Sequence, residues 1–176
     1  KLPVTLCLDR AGVVGDDGPT HHGLLDVALF RCIPDLVMMQ PADEAELANM
    51  LFTVTCSDRP AIIRYPRGAG PGAALPERFS KLEAGRADSW GSGGDVSLWA
   101  LGDMLPAARE TAAALRRRGI ESHVVNARFV APLDRSLLKE RARACRVVAT
   151  FENGVVRGGF GTAVRLEDTD ADGLDD

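Results

Sequence analysis

The sequence predicts an α/β protein built as two small three-layer lobes with mainly parallel sheets. Three observations lead there. Short apolar runs of strand length alternate with segments of helical spacing; residues 69 to 94 are dominated by Gly, Pro, Ala and Ser without a sustained apolar period; and the alternation of strand and helix resumes after them. Of 176 residues, 45% are hydrophobic, the share expected of a chain that folds around a core rather than one that stays disordered.

The elements follow in order. Val4, Leu6 and Leu8 alternate as a short strand does, and the Gly and Pro residues after them forbid a helix. A functional loop and a helix come next. Leu36 to Met39 is a short apolar run closed by Pro41. Asp43 offers an N-cap with Glu46 three residues on, and Leu47, Met50, Leu51 and Val54 follow at helical spacing. Ala61 to Tyr65 reads as the next strand, which makes a parallel crossover unit. These residues, 1–68, form the first lobe, and 69–94 is expected to be a mobile linker. In the second lobe, 95–166, Val96 to Leu101 is a strand ended by Gly102. Leu105, Ala108, Ala112 and Leu115 mark the buried face of a helix stopping at Gly119. His123 to Val125 gives another strand, Asp134 caps a helix through about Ala144, and Arg146 to Phe151 gives a third strand before Gly158-Gly159-Phe160-Gly161, a βαβαβ pattern. The aspartate-dense segment 167–176 lacks apolar periodicity and is expected not to pack.

Charge and cysteine usage exclude several functions. The formal charge of −4 argues against a nucleic-acid footprint, and Arg116-Arg117-Arg118 reads as a solvated helix end, where cations suit the helix dipole. Cys7, Cys32, Cys56 and Cys145 are scattered with no Cys-x-x-Cys pair, so neither a disulfide framework nor a structural zinc site is expected and a reducing cytoplasm is the default. No apolar run approaches bilayer length, which points to a soluble protein.

The candidate chemistry gathers in one glycine-punctuated loop after the first strand: Asp9-Arg10-Ala11-Gly12, then Asp16-Asp17-Gly18-Pro19-Thr20-His21-His22-Gly23. Arg10 stands near the carboxyl end of a strand, where open α/β sheets bind ligands. Asp17 and His21 lie four apart across a Gly-Pro turn, and histidine exchanges protons near neutral pH. From the loop alone, a turn-capping Asp17 and a catalytic one are equally compatible. Arg10 and Arg67 each end a predicted strand beside Gly12 and Gly68, and a guanidinium fork suits phosphate, although a surface ion pair is an arginine's ordinary fate. The His21-His22 pair does not read as a metal site, because adjacent side chains point apart and no third ligand has suitable spacing. His123 falls on a strand and reads as packed or surface, and Tyr65 as a core aromatic. Glu152-Asn153-Gly154 with the glycines at 158–161 reads either as an anion-binding turn at a helix start or as a plain loop-to-helix connection.

Five blocks carry a resemblance: Asp9-Arg10-Ala11-Gly12, Asp17-Gly18-Pro19-Thr20-His21, Arg31-Cys32-Ile33-Pro34, Arg64-Tyr65-Pro66-Arg67-Gly68 and Arg128-Phe129-Val130-Ala131-Pro132-Leu133-Asp134. In order and approximate spacing they resemble 1-deoxy-D-xylulose-5-phosphate synthases, thiamine diphosphate enzymes of the transketolase superfamily. The resemblance covers roughly Leu2 to Leu166 and implies part of a transketolase-like pyrimidine-binding domain followed by a truncated transketolase C-terminal-like domain, whose final strand and helix are expected to be missing. It implies that the intact enzyme joins pyruvate to D-glyceraldehyde 3-phosphate with loss of carbon dioxide, giving a precursor of isoprenoids, thiamine and pyridoxal. His21 would approach the cofactor-bound intermediate and Asp17 would orient the acceptor, while Arg10 and Arg67 would grip its phosphate. His22 stands where many relatives carry Gln or Asn, and a supporting role is expected of it. The cofactors implied are thiamine diphosphate and Mg2+. Both would require regions outside this chain, which is expected to be a fragment, inactive alone, of a cytoplasmic homodimer. Transketolase proper, a split transketolase-like subunit and a noncatalytic assembly module are the alternatives; the Asp9-Arg10-Ala11-Gly12 and Tyr65-Pro66-Arg67-Gly68 blocks favour the synthase.

Overall fold

The computed structural model describes residues 2–169. Strand β1 (Thr5–Leu8) leads through two 3-10 turns at 15–17 and 19–21 to the short helix α1 (Asp26–Phe30). Then come β2 (Val37–Met39), α2 (Glu44–Thr55) and β3 (Ala61–Arg64), with β1 and β2 both parallel to β3. The α2 start is built as its residues dictate: Asp43 accepts from the Glu46 N–H at 2.8 Å, and the Glu46 carboxylate accepts from the Ala42 N–H at 2.7 Å. Met50 is buried against β2 and β3 with Leu47 and Val54 beside it, whereas Leu51 is 42% exposed at the margin of that face.

The second lobe contains β4 (Asp88–Trp90), β5 (Val96–Ala100), α3 (Leu105–Arg116), β6 (Ser122–Asn126), β7 (Phe129–Ala131), α4 (Arg135–Ala144), β8 (Val147–Phe151) and α5 (Phe160–Thr169). One sheet has the order β4-β6-β5-β8, parallel except for β4. Helix α3 buries Leu105 and Ala108, with Ala112 and Leu115 packed beside them. Its end is closed by the Gly119 N–H to Arg116 and the Ile120 N–H to Leu115, with Gly119 at φ +74, a conformation that glycine takes without a Cβ penalty. Asp134 caps α4 by accepting from the Leu137 N–H at 3.0 Å.

Four features differ from the expectations. Strand β7, which had no periodic signal in its three residues, leaves the second lobe and pairs antiparallel with β2, giving the first sheet the order β1-β3-β2-β7. The lobes consequently share one apolar core, in which Val27, Leu36, Met38 and Ile62 meet Trp99, Leu101, Val125, Val130, Leu138 and Phe160. The stretch 69–94 contains β4, and its backbone is tied along α2: Glu44 accepts from Gly72 and Ala73, Asn49 from Ser80, and Thr53 from Leu82. Helix α5, whose start the glycines at 158–161 marked, runs on into the segment expected not to pack. Phe160, Ala163 and Val164 of α5 are buried, and burial of the Phe160 ring alone favours docking by about 2 to 3 kcal/mol. Glu167, assigned above to an unpacked tail, lies on that helix and accepts from Arg135 at 2.7 Å, while 170–176 lie outside the described residues. Among the described residues no helix is long and apolar enough to cross a membrane.

Candidate functional site

The parallel pairing of β1 with β3 runs past the strands themselves. Tyr65 donates to Leu8 at 2.9 Å and Ala11 donates to Tyr65 at 3.0 Å, so the chain segments leaving the two carboxyl ends travel side by side. This zipping brings together the two arginines that the sequence places 57 positions apart. Arg10 Nε donates to Asp17 Oδ2 at 2.7 Å, and Arg67 pairs with the other oxygen, Asp17 Oδ1. Arg10 also pairs with Asp9 at 2.5 Å. The carboxylate is the most sheltered member, 16% exposed, whereas the arginine side chains stand 33% and 48% exposed above it. Two cations are thus held beside one another by an anion beneath them, an arrangement suited to an anionic ligand arriving from solvent.

The loop is folded back on itself to achieve this. Arg10 adopts φ +63, a left-handed conformation costly for a residue with a Cβ, and its carbonyl accepts from the Gly23 N–H at 2.9 Å. Gly12 in turn donates to Gly23 at 3.0 Å. Glycine is required at 23, since a Cβ there would lie 2.4 Å from the Arg10 carbonyl oxygen. His22 Nδ1 accepts from the Val14 N–H at 3.0 Å, which spans both 3-10 turns and gives this histidine a tangible supporting part. His21 is exposed on the second turn, with Nδ1 3.1 Å from Thr20 Oγ1.

Arg64, inside the Arg-Tyr-Pro-Arg block, was not singled out by the sequence. Only 1% exposed, it donates to Asp26 at 3.1 Å, to Gln40, to Asn153 Oδ1 at 2.7 Å and to the Gly23 carbonyl at 2.6 Å. Asn153 Nδ2 donates onward to Asp103 at 2.8 and 2.9 Å, and Gln40 Nε2 reaches the same carboxylate at 2.6 Å. Burial pushes the Asp103 carboxyl up from its ordinary value, against the opposing hydrogen bond from Gln40. A sequence signal existed for Arg64, a cation at the end of an otherwise apolar strand, but nothing local named its partners in the other lobe.

A second bridge between the lobes joins Glu46 to Asn126 at 2.9 Å and to Arg128 at 2.6 Å, with Asp88 completing the pair at 3.0 Å. These groups line a cavity of about 700 Å3, and they satisfy one another there. The turn after β8 is not an open anion site. Glu152 accepts from the Phe160 N–H at 2.8 Å and the Gly161 N–H at 2.9 Å, so the start of α5 is already capped by the chain's own carboxylate. His123 is a buried histidine whose Nδ1 has no hydrogen-bond partner, and desolvation, then Arg141, lowers its pKa. Tyr65 packs against the β2–β3 core, and the four cysteines are free thiols.

Comparison with known proteins matches residues 1–72 to the transketolase pyrimidine-binding domain model and 85–172 to the transketolase C-terminal domain model. The chain is 46% identical over 176 residues to the 1-deoxy-D-xylulose-5-phosphate synthase of Syntrophus aciditrophicus, covering 99% of this chain and 27% of that protein. With the enzyme of that name from Synechocystis it shares 52% over 166 residues, 93% of this chain and 26% of the relative. It therefore spans about a quarter of the length of these curated relatives. Among solved structures, a split-gene transketolase described as an inactive beta4 tetramer superposes with a TM-score of 0.84 at 32% identity, over 94% of this chain and 53% of that one. The transketolase of Campylobacter jejuni gives 0.67 at 20% identity, over 93% and 29%, which is likeness of fold.

Proposed function

The chain belongs to the transketolase family, and from that premise we propose that it carries the acceptor half of the active site of a 1-deoxy-D-xylulose-5-phosphate synthase. One observation supports this reading most: Arg10 and Arg67 converge on Asp17, next to the turn that bears His21. The substrates on this reading are pyruvate and glyceraldehyde 3-phosphate. The two guanidiniums take the phosphate of the acceptor, each with donors to spare beyond the carboxylate they already hold. Asp17 fixes their separation and so the distance from phosphate to the reacting carbonyl. His21, with Nδ1 turned to Thr20, exchanges a proton with the acceptor oxygen through Nε2.

Thiamine diphosphate with Mg2+ is the cofactor we propose, supplying the nucleophilic carbon. Among the described residues no group of three His, Cys, Asp or Glu side chains could hold a metal ion, so its binding is assigned to residues other than these and no step here runs through it. Because the chain spans about a quarter of its relatives' length, the chain alone is proposed to be inactive. The enzyme is further proposed to be a cytoplasmic homodimer. The exposed apolar residues Val4 and Leu6 at the sheet edge support a partner surface, and the free thiols a reducing compartment. Likeness to a split-gene transketolase favours one second reading, a transketolase subunit that takes a ketose phosphate as donor.

Carbon dioxide release from pyruvate separates these readings, measured on the chain alone and co-expressed with the upstream portion of a synthase relative. Acceptor-dependent release in the paired sample alone, abolished in His21→Ala and Arg67→Ala, is the expected result. Turnover with a ketose phosphate but not pyruvate would move the assignment to transketolase. Association without either activity would leave a noncatalytic module.

A further inference from the structure

We propose that Asn153, in the second lobe, is a positioning residue for the acceptor loop of the first. This deepens the reading above and rests on it where Arg10 is taken as a phosphate ligand. Asn153 reaches the loop by two routes. Its side chain lies directly against Gly12, where a Cβ would come within 2.9 Å of Asn153 Cβ, so the Asp9-Arg10-Ala11-Gly12 segment rests on it. Through Oδ1 at 2.7 Å and its own carbonyl at 3.1 Å it also fixes Arg64, which holds the Gly23 carbonyl at 2.6 Å. Gly23 is the residue onto which Arg10 folds back. The flanking turn supports the same contact: Arg31 donates to the Gly158 carbonyl at 2.7 Å, and Gly158 lies against Ala28.

The chemistry of the position explains why an amide stands there. Arg64 offers only donors and the Asp103 carboxylate only acceptors, so the residue between them must accept on one side and donate on the other. Asn153 does both at once, taking Arg64 through Oδ1 and giving Nδ2 to Asp103. An aspartate at this position would keep the arginine but set oxygen against oxygen where Nδ2 now meets Asp103 at 2.8 Å. Exchanging the two residues gives the contact a donor again, with one amide–carboxylate bond where there are now two. The carboxylate, moved to the β8 side, would accept from Arg64 and from the amide that replaces Asp103, and the oxygen of that amide would still take Gln40.

The test uses the full chain with Asn153→Asp, and Asn153→Asp combined with Asp103→Asn. Amide exchange is read at Gly12 and Gly23, whose N–H groups hold the folded-back loop, with the amides of β5 as an internal control. The expected result is exchange about tenfold faster at both glycines in the single variant, an unchanged control, and recovery in the double variant. Unchanged glycine exchange in the single variant would overturn the proposal. So would loss of protection spread evenly over β5, or a double variant that fails to recover or to fold. Titration with inorganic phosphate runs in parallel. Wild-type chain that ignores phosphate while its glycines respond to Asn153→Asp would sink the phosphate role of Arg10 and Arg67 and leave the positioning role standing. Phosphate binding with unresponsive glycines would do the reverse.

Discussion

Replacing Arg64 with Met removes the most heavily bonded side chain at the junction while keeping a straight stem of similar reach. The guanidinium is 1% exposed and paired with Asp26, so its loss leaves a carboxylate that is itself only 21% exposed. Breaking a buried pair from one side costs about 3 to 5 kcal/mol. Asp26 can draw partly on solvent, which favours the lower end, but Gln40, the Asn153 side chain and the Gly23 carbonyl lose a donor in the same step. These losses overlap rather than add, and about 3 to 4 kcal/mol is expected against a total stability on the order of 10 kcal/mol. With a urea m-value of about 2 kcal/mol per molar, the midpoint falls by roughly 1.5 to 2 M. Fluorescence of Trp99, fully buried in the shared core, reports the transition. A midpoint shift under about 0.5 M at unchanged m-value would refute the claim that this arginine locks the lobes.

Three further outcomes follow from particular contacts. His123 is buried with Nδ1 unpartnered and its pKa lowered, so the unfolded chain protonates first and wild-type stability falls as pH drops below about 6.5 toward the lowered folded value. His123→Leu should flatten that slope in melts between about pH 5 and 7.5 and add about 1 kcal/mol, and an unchanged slope would acquit the residue. Gly12→Ala meets φ +80 and Asn153 at 2.9 Å together, and should lower stability by about 2 kcal/mol in urea titration, with a neutral result contradicting the close approach. Backbone hydrogen bonds from Glu44 itself, Gly72 and Ala73 lower the Glu44 pKa, so the tether it makes persists as pH falls through 4.5 and is lost only on protonation below that. Exchange at Gly72 and Ala73 followed through acid should show this, and release already above 4.5 would exclude it.

Local signals made most of the elements legible in the sequence. Asp43 with Glu46, Asp134, and Gly119 each announce a helix end through a bond made within a few residues, and each makes that bond here. The loop at 9–23 was legible for a related reason, since its glycines and proline forbid regular structure around a concentration of ionisable groups. What escaped was non-local. Strand β7 has three residues, too few to show a period of two, and its pairing with β2 is decided by a partner some ninety positions away. Asn153 and Asp103 resemble ordinary surface residues in sequence, and nothing local names them as partners of Arg64, because only the docking of one lobe on the other brings the three together. The start of helix α5 was legible at its glycines but its length was not, because acidic residues crowd its end, while the burial that stabilises it comes from Phe160, Ala163 and Val164.

If the loop at 9–23 takes the acceptor phosphate as proposed, its charges decide how that phosphate enters. Asp9, Asp17, Arg10 and Arg67 sum to zero, so an incoming dianion meets no net attraction while all four remain paired. The two carboxylates are not equivalent. Asp9 is 56% exposed, and an exposed pair contributes about 0 to 1 kcal/mol, a bond that a phosphate can displace at little cost. Asp17 is 16% exposed and bonds both arginines from beneath, so releasing it would separate the very groups the phosphate needs. On the proposed reading the contacts yield in a fixed order: Asp9 returns to solvent, Arg10 turns that donor to the ligand, and Asp17 stays. One carboxylate would then serve as an exchangeable placeholder and the other as the spacer that keeps two cations side by side, and the proposed phosphate role is compatible with the acid the loop carries.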